Sequence, residues 1–579
     1  MRQLKTTAII ALLAISAGTL GSHSAESLWP WIPVSVGVSV LVVLAGMLWR
    51  PNRTSPPTGP SLVLVVGIAV FYRAYTFVFP ASMIGIDPDG YAVWINQLVA
   101  SGSIEAMNVG FYAKASFFPL LNGLSAIISG LPVRTAMIII PLLAGILIPL
   151  SVYLLSRYIT HEKATEVGIA ASLIATVAAQ GVHHSFWPIS QSLATLFLCL
   201  FVVVSVRSIS GPSHRYRFSL LFVVFLLSMA LTHKLPMLVT IMFAGMFIVL
   251  TLLSRTVATQ LGQKQRGGYN VWMLFGMIFM MAFIQWSYIS NYLSSVVAKL
   301  IALFGSESAS VSATLLQPTA AVSPFSEIVG ILLRNLHALA LLVPGAVAWL
   351  ILVYTNRSKR FVQVQVLQAV TAGLFLLFPV AIVVPSEFNY SRVTLFIEPF
   401  LAVLIAAAFI DQSGRSRKLL ARAWSMMVIS ILMFVVVTQP ITVEAAPDFP
   451  GSPRMYLTSE EVAAKEFGHQ HMDNSATDPY YAGEQPFPDQ HVTASGVLDT
   501  TRENRYTSLN SALYNATLLS DCPPDILYRQ IDVYRFQGPW RLTWDPKSVL
   551  DTHYNRIYTN HGAKHYSRVR CVNSNSSAN

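Results

Sequence analysis

About 13 apolar runs divide this chain, near 6–21, 28–49, 61–79, 135–155, 167–180, 188–206, 218–233, 236–254, 271–290, 329–354, 364–384, 393–410 and 424–441. Many approach the roughly 20 residues that a helix needs to cross ~30 Å of hydrocarbon. Of the 579 residues, 54% are hydrophobic and 11% charged, whereas a soluble domain has about 25% charged residues. The pattern predicts an all-α polytopic membrane protein with about 13 transmembrane helices.

The formal net charge of +11 is first a topology signal, because Lys and Arg in short loops mark the cytoplasmic side. Basic clusters lie at Arg50 and Arg53; Arg157 and Lys163; Arg207, Arg215 and Arg217; Arg255, Lys264 and Arg266. Two more follow, at Arg357, Lys359 and Arg360, and at Arg415, Arg417, Lys418 and Arg422. Placing all of them inside turns loops 80–134, 181–187, 233–235, 291–328 and 385–392 outward, with everything after 442. The N-terminus is then inside. That assignment closes only if the apolar run 115–131 does not cross, so a re-entrant or interfacial segment is expected there. Run 6–21 reads as a signal peptide or an uncleaved helix; no good small-residue cleavage site follows it. No basic patch with interleaved aromatics lies on a soluble stretch, so no nucleic-acid partner is expected.

Three regions result: N-terminal membrane helices 1–60, a transmembrane domain 61–442 with its first outer loop at 80–134, and an extracytoplasmic domain 443–579. The last carries a charge of about −4, leaving about +15 for the rest. It has no spanning run and reads as a small α+β or irregular domain. The stretch TSEEVAAKEFG at 458–468 predicts its opening helix, with Thr458 as cap, Glu461 completing a capping box and Gly468 as stop. Cys522 and Cys571 in this domain suit a disulfide in an oxidising compartment, while Cys199 falls within an apolar run.

Ionisable groups at membrane depth are costly and usually face a cavity or a partner. On the outward side the chain places Asp87 and Asp89 in IDPDG, and His183 and His184 in GVHHSFWPISQ. His233 and Lys234 in ALTHKLP join them, as do Glu387 and Arg392 in PSEFNYSRVTLF. Locally, Asp-Pro-Asp-Gly is a turn sequence. Functionally, its carboxylates suit a general base or ligands for Mg²⁺ or Mn²⁺, which prefer oxygen donors. Adjacent histidines are interfacial residues or donors to a phosphate or sugar, and no Cys/His set has zinc spacing. Lys234 either snorkels to the interface or meets an anion. Arg392 suits an anionic lipid headgroup, or an ion pair with Glu387 or Glu398. Arg73, which interrupts the run before the acids, is expected to face the bundle interior.

Taken together, these features resemble the GT-C superfamily of integral-membrane glycosyltransferases. The resemblance rests on the acids Asp87 and Asp89 just past an early span, followed by an aromatic first outer loop. It extends to Phe118-Pro119-Leu120-Leu121 with Gly130 ten residues on, similar to a Pro-Pro-Leu run in protein mannosyltransferases. His233-Lys234 at a helix end, Arg392 before the penultimate membrane helix and the outward C-terminal domain complete it. Two departures stand out. The Trp-Trp-Asp motif of oligosaccharyltransferase catalytic subunits is absent, and Asp-Pro-Asp replaces the Asp-Glu of protein mannosyltransferases, so the acceptor class does not carry over.

The resemblance implies transfer of a hexose, mannose favoured, from a polyprenyl- or dolichyl-phosphate donor to a glycan or protein acceptor. Asp87 is then the base or, with Asp89, a cation site; His233, Lys234 and Arg392 hold the donor phosphate. His183, His184 and Glu387 are further substrate contacts. The expected location is a cell membrane, with the active site outside. A transporter or flippase is the competing class, but it would place ionisable groups near the midplane, often with repeated halves. No repeat is visible here. A membrane scaffold, the third class, leaves the one-sided clustering unexplained.

Overall fold

The computed structural model describes residues 58–78, 86–107, 110–160, 163–178, 188–210, 215–260, 271–294, 336–355, 361–383, 390–411, 459–472, 475–477, 506–508, 523–529, 546–560 and 563–568. Met83, Gly181, His184, 297–298 and Leu457 are also described. His183, Glu387, Cys522, Cys571, the Asp87 side chain, Thr458 and the runs 6–21, 28–49 and 424–441 lie outside the described residues.

In chain order the helices are α1 (Thr58–Val78), α2 (Ile86–Ser101), α3 (Gly110–Lys114), α4 (Phe117–Ser129), α5 (Val133–Ala136), α6 (Ile139–Ile159) and α7 (Ala164–Val177). Then come α8 (Ser190–Ser210), α9 (Arg215–Thr232), α10 (Lys234–Gln260), α11 (Val271–Ile284), α12 (Leu336–Thr355), α13 (Phe361–Val383) and α14 (Tyr390–Ala406). The C-terminal part contributes α15 (Ser459–His471), α16 (Pro546–His553) and five strands. Two compact units divide the chain. One comprises Met1–Tyr75, Asn108–Leu121 and Ile138–Thr442; the other comprises Thr76–Met107, Asn122–Met137 and Val443–Asn579.

Among the described residues, three helices are long and apolar enough to cross a membrane by length and composition: Val133–Ile159, Ser190–Ser208 and Lys234–Leu253. Seven more are apolar but shorter, among them Ala164–Val177 and Val364–Phe378. The first unit is apolar outside as well as inside. Val343, Val347, Leu350 and Val353 recur every three or four residues along α12 and are 58%, 45%, 62% and 50% exposed. Helical periodicity normally turns such a stripe toward a core; one turned outward marks a surface that meets hydrocarbon or another apolar partner.

Close helix packing follows from small residues. A Cβ on Gly373 of α13 would lie 3.0 Å from the Met242 backbone carbon of α10. On α7, Gly168 admits the Tyr153 ring of α6, and Ser172 Oγ donates to Pro149 O at 2.8 Å. Buried hydroxyls mostly return to their own helix: Ser156 donates to Val152 O, Thr176 to Ser172 O and Thr195 to Gln191 O. Such bonds satisfy polar groups where no water can. Arg73 is buried, as expected, and donates to Ala69 O and to Thr176 O in the last turn of α7. A cation there meets the negative end of the helix dipole.

Within 115–131, α4 has 13 residues, roughly 20 Å of helix, which falls short of a ~30 Å hydrocarbon core. It buries Phe118 and Asn122, exposes Leu124, Ile127 and Ile128, and ends on Gly130 at φ +66°. That left-handed conformation suits a glycine following a helix.

The C-terminal sheet has order β2-β1-β3-β5-β4. Here β1 is Ser475–Thr477, β2 Tyr506–Ser508, β3 Asp525–Arg529, β4 Tyr554–Thr559 and β5 Ala563–Arg568. β1 pairs parallel with β2 and β3, whereas β3/β5 and β4/β5 are antiparallel. Of the two forms expected, α+β or irregular, this is the first. The opening helix runs to His471 rather than stopping at Gly468. Tertiary contacts override the glycine: Phe467 stacks on Tyr558 with centroids 4.4 Å apart and also meets His471 and His565.

Candidate functional site

The joint between α9 and α10 organises the first unit's polar residues. Pro236 has no N–H to give Thr232 O, so one continuous helix is not available, whereas a proline in the first turn of α10 is tolerated. The break falls on His233. Its N–H still reaches Met229 O at 3.1 Å, and its Nδ1 accepts the Leu235 N–H at 3.2 Å, capping α10. The other ring nitrogen, Nε2, lies 3.4 Å from the Gln191 amide in the first turn of α8. The ring is buried.

Around it the predicted residues assemble. Lys234, Arg392 and His184 all lie close enough to act electrostatically on His233. His184 is buried, and Lys234 and Arg392 are half-buried. Gln191, Lys234 and Arg392 belong to the first turns of α8, α10 and α14, so three helix N-termini converge on one imidazole. Each brings unsatisfied N–H groups and a partial positive charge, and with two cations added the locality favours an anion. Glu398, weighed as an Arg392 partner, is buried and accepts the Gly181 N–H at 2.9 Å.

At the other ends of these helices, the Arg207 guanidinium of α8 lies over Tyr158 of α6 and Phe218 of α9, 5.2 and 5.7 Å from the ring centroids. Thus α8 and α9 each run between an Arg–aromatic end and the His233 end.

Two features were not anticipated. Past α11 the helix widens into a π-turn, Gln285–Ile289. Gln285 Nε2 donates to Ala230 O at 2.6 Å, a carbonyl that the broken helix leaves without its usual partner, and to His233 O at 3.1 Å. Lys234 Nζ lies 4.7 Å from the centroid of Tyr292, which meets Trp286 edge-on at 5.8 Å. In addition, α3 reaches this region: Lys114 Nζ donates to Tyr288 O at 3.2 Å, and Tyr112 OH lies 3.0 Å from Ser190 Oγ. The available signal was the polar group IQWSYIS closing an otherwise apolar run.

In the second unit, Asp87-Pro88-Asp89-Gly90 forms the first turn of α2 rather than a loop turn. Asp89 is fully buried, and its Oδ1 is 3.7 Å from the Arg134 guanidinium of α5. A guanidinium there already neutralises Asp89, which weakens the fit to a divalent cation. Among the described residues, no group of three or more His, Cys, Asp or Glu side chains could hold a metal ion.

No family model matches the chain, and no curated protein matches it. Among solved structures, the Archaeoglobus fulgidus oligosaccharyltransferase in complex with Zn and sulfate is 12% identical, with a TM-score of 0.48 over 81% of this chain and 68% of that one. ArnT from Cupriavidus metallidurans bound to undecaprenyl phosphate is 12% identical, with a TM-score of 0.46 over 87% of this chain and 97% of its own. Arabinofuranosyltransferase AftD from Mycobacteria is 11% identical, with a TM-score of 0.40 over 89% of this chain and 42% of that one. These neighbours are GT-C superfamily glycosyltransferases.

Proposed function

We propose that this protein is a membrane glycosyltransferase of the GT-C type that takes a sugar, mannose favoured, from a polyprenyl-phosphate carrier. The observation that carries this reading is the convergence of three helix N-termini, Lys234 and Arg392 on His233 at one end of apolar helices. An anion with a long hydrocarbon tail matches that combination: its phosphate meets the cations, and its chain lies along the apolar helices. Lys234 and Arg392 neutralise the leaving phosphate, while His233 takes part through its cap and sets their spacing. His183, His184 and Glu387 are assigned to the substrate's polar part.

The acceptor is a glycan or protein hydroxyl on the outer face of a cell membrane. As it attacks the anomeric carbon, its proton passes to a carboxylate, and Asp87 is assigned that role on sequence grounds. The bond from the anomeric carbon to the phosphate oxygen breaks with its electrons on the phosphate. General-base help is worth ~10²–10⁴-fold. Asp89, held by Arg134, fixes the turn of helix that carries Asp87.

The test is transfer of radiolabelled sugar from purified dolichyl-phosphate mannose by the purified protein. Asp87→Asn is expected to reduce transfer by about 10³-fold while leaving the melting temperature unchanged. Undiminished transfer by a well-folded Asp87→Asn protein would remove Asp87 from the mechanism. Flux of the lipid across vesicles without any transfer would favour the transporter class instead.

A further inference from the structure

The two faces of the C-terminal sheet carry different charge. In the ladders, Tyr528 lies opposite Lys564, Tyr554 opposite Arg568 and Arg556 opposite Tyr566. Directly opposed residues, and residues two apart on a strand, share a face. All six of these therefore stand on one side. It is the side of α16, whose Asp551 Oδ1 accepts the Tyr566 hydroxyl at 2.7 Å. His565 alternates with them and turns to α15, where its Nε2 meets Ala464 O.

On the α16 face one carboxylate serves several cations. Asp551 lies 3.8 Å from the Arg556 guanidinium and 3.9 Å from the Lys564 ammonium. Lys547, one helical turn before Asp551, lies close enough to act on Lys564, and Arg568 acts on Tyr554 across the ladder. Burial holds the buried Lys564 ammonium below its usual pKa; Asp551 opposes that shift, while Lys547 and Arg556 add to it. Among the described residues of this face, four cations thus surround a single acid, although the domain as a whole carries a charge of about −4. Lys547, Arg556 and Arg568 are exposed. Beside them the β4 register slips between Arg556 and Tyr558, leaving Ile557 as the extra residue, 48% exposed. A bulge of this kind on an outer strand opposes the addition of a further strand. An apolar side chain standing next to exposed cations instead suits the boundary between charged headgroups and hydrocarbon.

Cations spread over one helix and two strands match a plane of negative charge better than one small anion. Near an anionic bilayer each Lys or Arg strengthens attraction by about fivefold. The same chain carries helices with apolar outer surfaces such as α12, so a bilayer is tethered to this domain and its effective concentration is high. We infer that α16 and strands β4 and β5 form a docking face for anionic lipid headgroups. The inference rests on the membrane reading of the chain and is independent of the sugar chemistry.

The experiment is amide hydrogen exchange of the full-length protein in two nanodiscs, one of phosphatidylcholine and one of phosphatidylcholine with phosphatidylglycerol in equal parts. In the anionic disc, exchange over α16 and β4 is expected to slow by about fivefold or more. Exchange over α15, behind the sheet, is expected to be the same in both discs. The slowing should fade in 1 M salt, where screening shortens to about 3 Å. It should also be lost in Lys547→Glu/Arg568→Glu, which leaves both Asp551 ion pairs in place. Lys547→Gln/Arg568→Gln should lose most of it, and reads the same effect if the charge reversal impairs folding. Equal exchange of the wild type in the two discs overturns the docking face, as does slowing that survives in the glutamine variant. Equal slowing of α15 also overturns it, by reporting a general stabilisation instead of a covered face. Polyglutamate added to the phosphatidylcholine disc is the last arm. If it slows exchange as strongly as the anionic lipid does, the face belongs to an acidic chain and the lipid assignment falls.

Discussion

On the face that α15 presents to the sheet, most buried polar side chains find partners inside the protein, although His565 Nδ1 has no hydrogen-bond partner among the described residues. His565 Nε2 donates to Ala464 O at 2.7 Å, Asn560 Nδ2 to Glu460 O at 2.6 Å, and Thr477 Oγ1 to Leu527 O at 2.7 Å. Arg529 of β3 lies 4.0 Å from Glu461 of α15, both buried. The π-turn after α11 buries polar atoms too, and Gln285 Oε1, Trp286 Nε1 and Ser287 Oγ have no hydrogen-bond partner among the described residues. The contrast is between a face where most buried polar groups are paired and a turn where three neighbouring residues each keep an unmet one. Mutations in the first region should change stability and spare chemistry; those in the second should do the reverse.

The sharpest way to break that contrast is Arg392→Met. It removes a half-buried cation near His233 and should lower sugar transfer by about 10²-fold, the scale of one preorganised donor to a developing anion. Thermal melting should hardly move, and a collapse in melting temperature would place Arg392 among the structural groups. Arg529→Met tests the other side. It removes the cation 4.0 Å from the buried Glu461 carboxylate and should destabilise the C-terminal domain by about 3 kcal/mol, read by limited proteolysis of residues 443–579 in the full chain. Transfer per folded molecule should be unaltered.

A smaller effect is expected from the cysteines. Asp525 pairs with Ser567, and Arg568 N–H donates to Pro524 O at 2.8 Å, so the chain leaves β5 toward Cys571 beside the point where it enters β3 from Cys522. A disulfide there should show as a non-reducing gel shift that Cys522→Ser abolishes, at a cost of about 2 kcal/mol. The gentlest probe is pH. Burial holds the His565 imidazole below its usual pKa, so the folded ring resists a proton that the unfolded ring takes up below about pH 6.5. Stability of the C-terminal domain should be full above that pH and decline as pH falls through it, with His565→Gln flattening the dependence.

Much of the architecture was legible in the sequence, because hydrocarbon admits few alternatives. Apolar runs such as 188–206 and 236–254 became α8 and α10, and the polar punctuation between runs marked where His184, His233, Lys234 and Arg392 gather. What escaped was whatever depended on distant neighbours. Asp-Pro-Asp-Gly reads equally as a turn or as a helix start, since Asp and Pro suit both, and only the buried Arg134 contact accompanies the helical outcome. Gly468 looks like a stop until Phe467 and His471 are seen anchored on the sheet. No periodicity announces a π-turn. Gln285 stood out only as one amide after a run of Met and Phe, and its role lies in carbonyls fifty residues upstream.

The His233 joint has a further consequence, for how this chain can change over time. A cap fixes the rotational phase of the helix it begins, and each residue added to or removed from a helix turns everything beyond it by about 100°. One residue inserted between His233 and Pro236 would turn the rest of α10 by that angle and carry part of its inward face out of the helix packing. An insertion or deletion at its origin therefore disturbs more of the packing than a substitution along it, and the four letters His-Lys-Leu-Pro act as a phase mark.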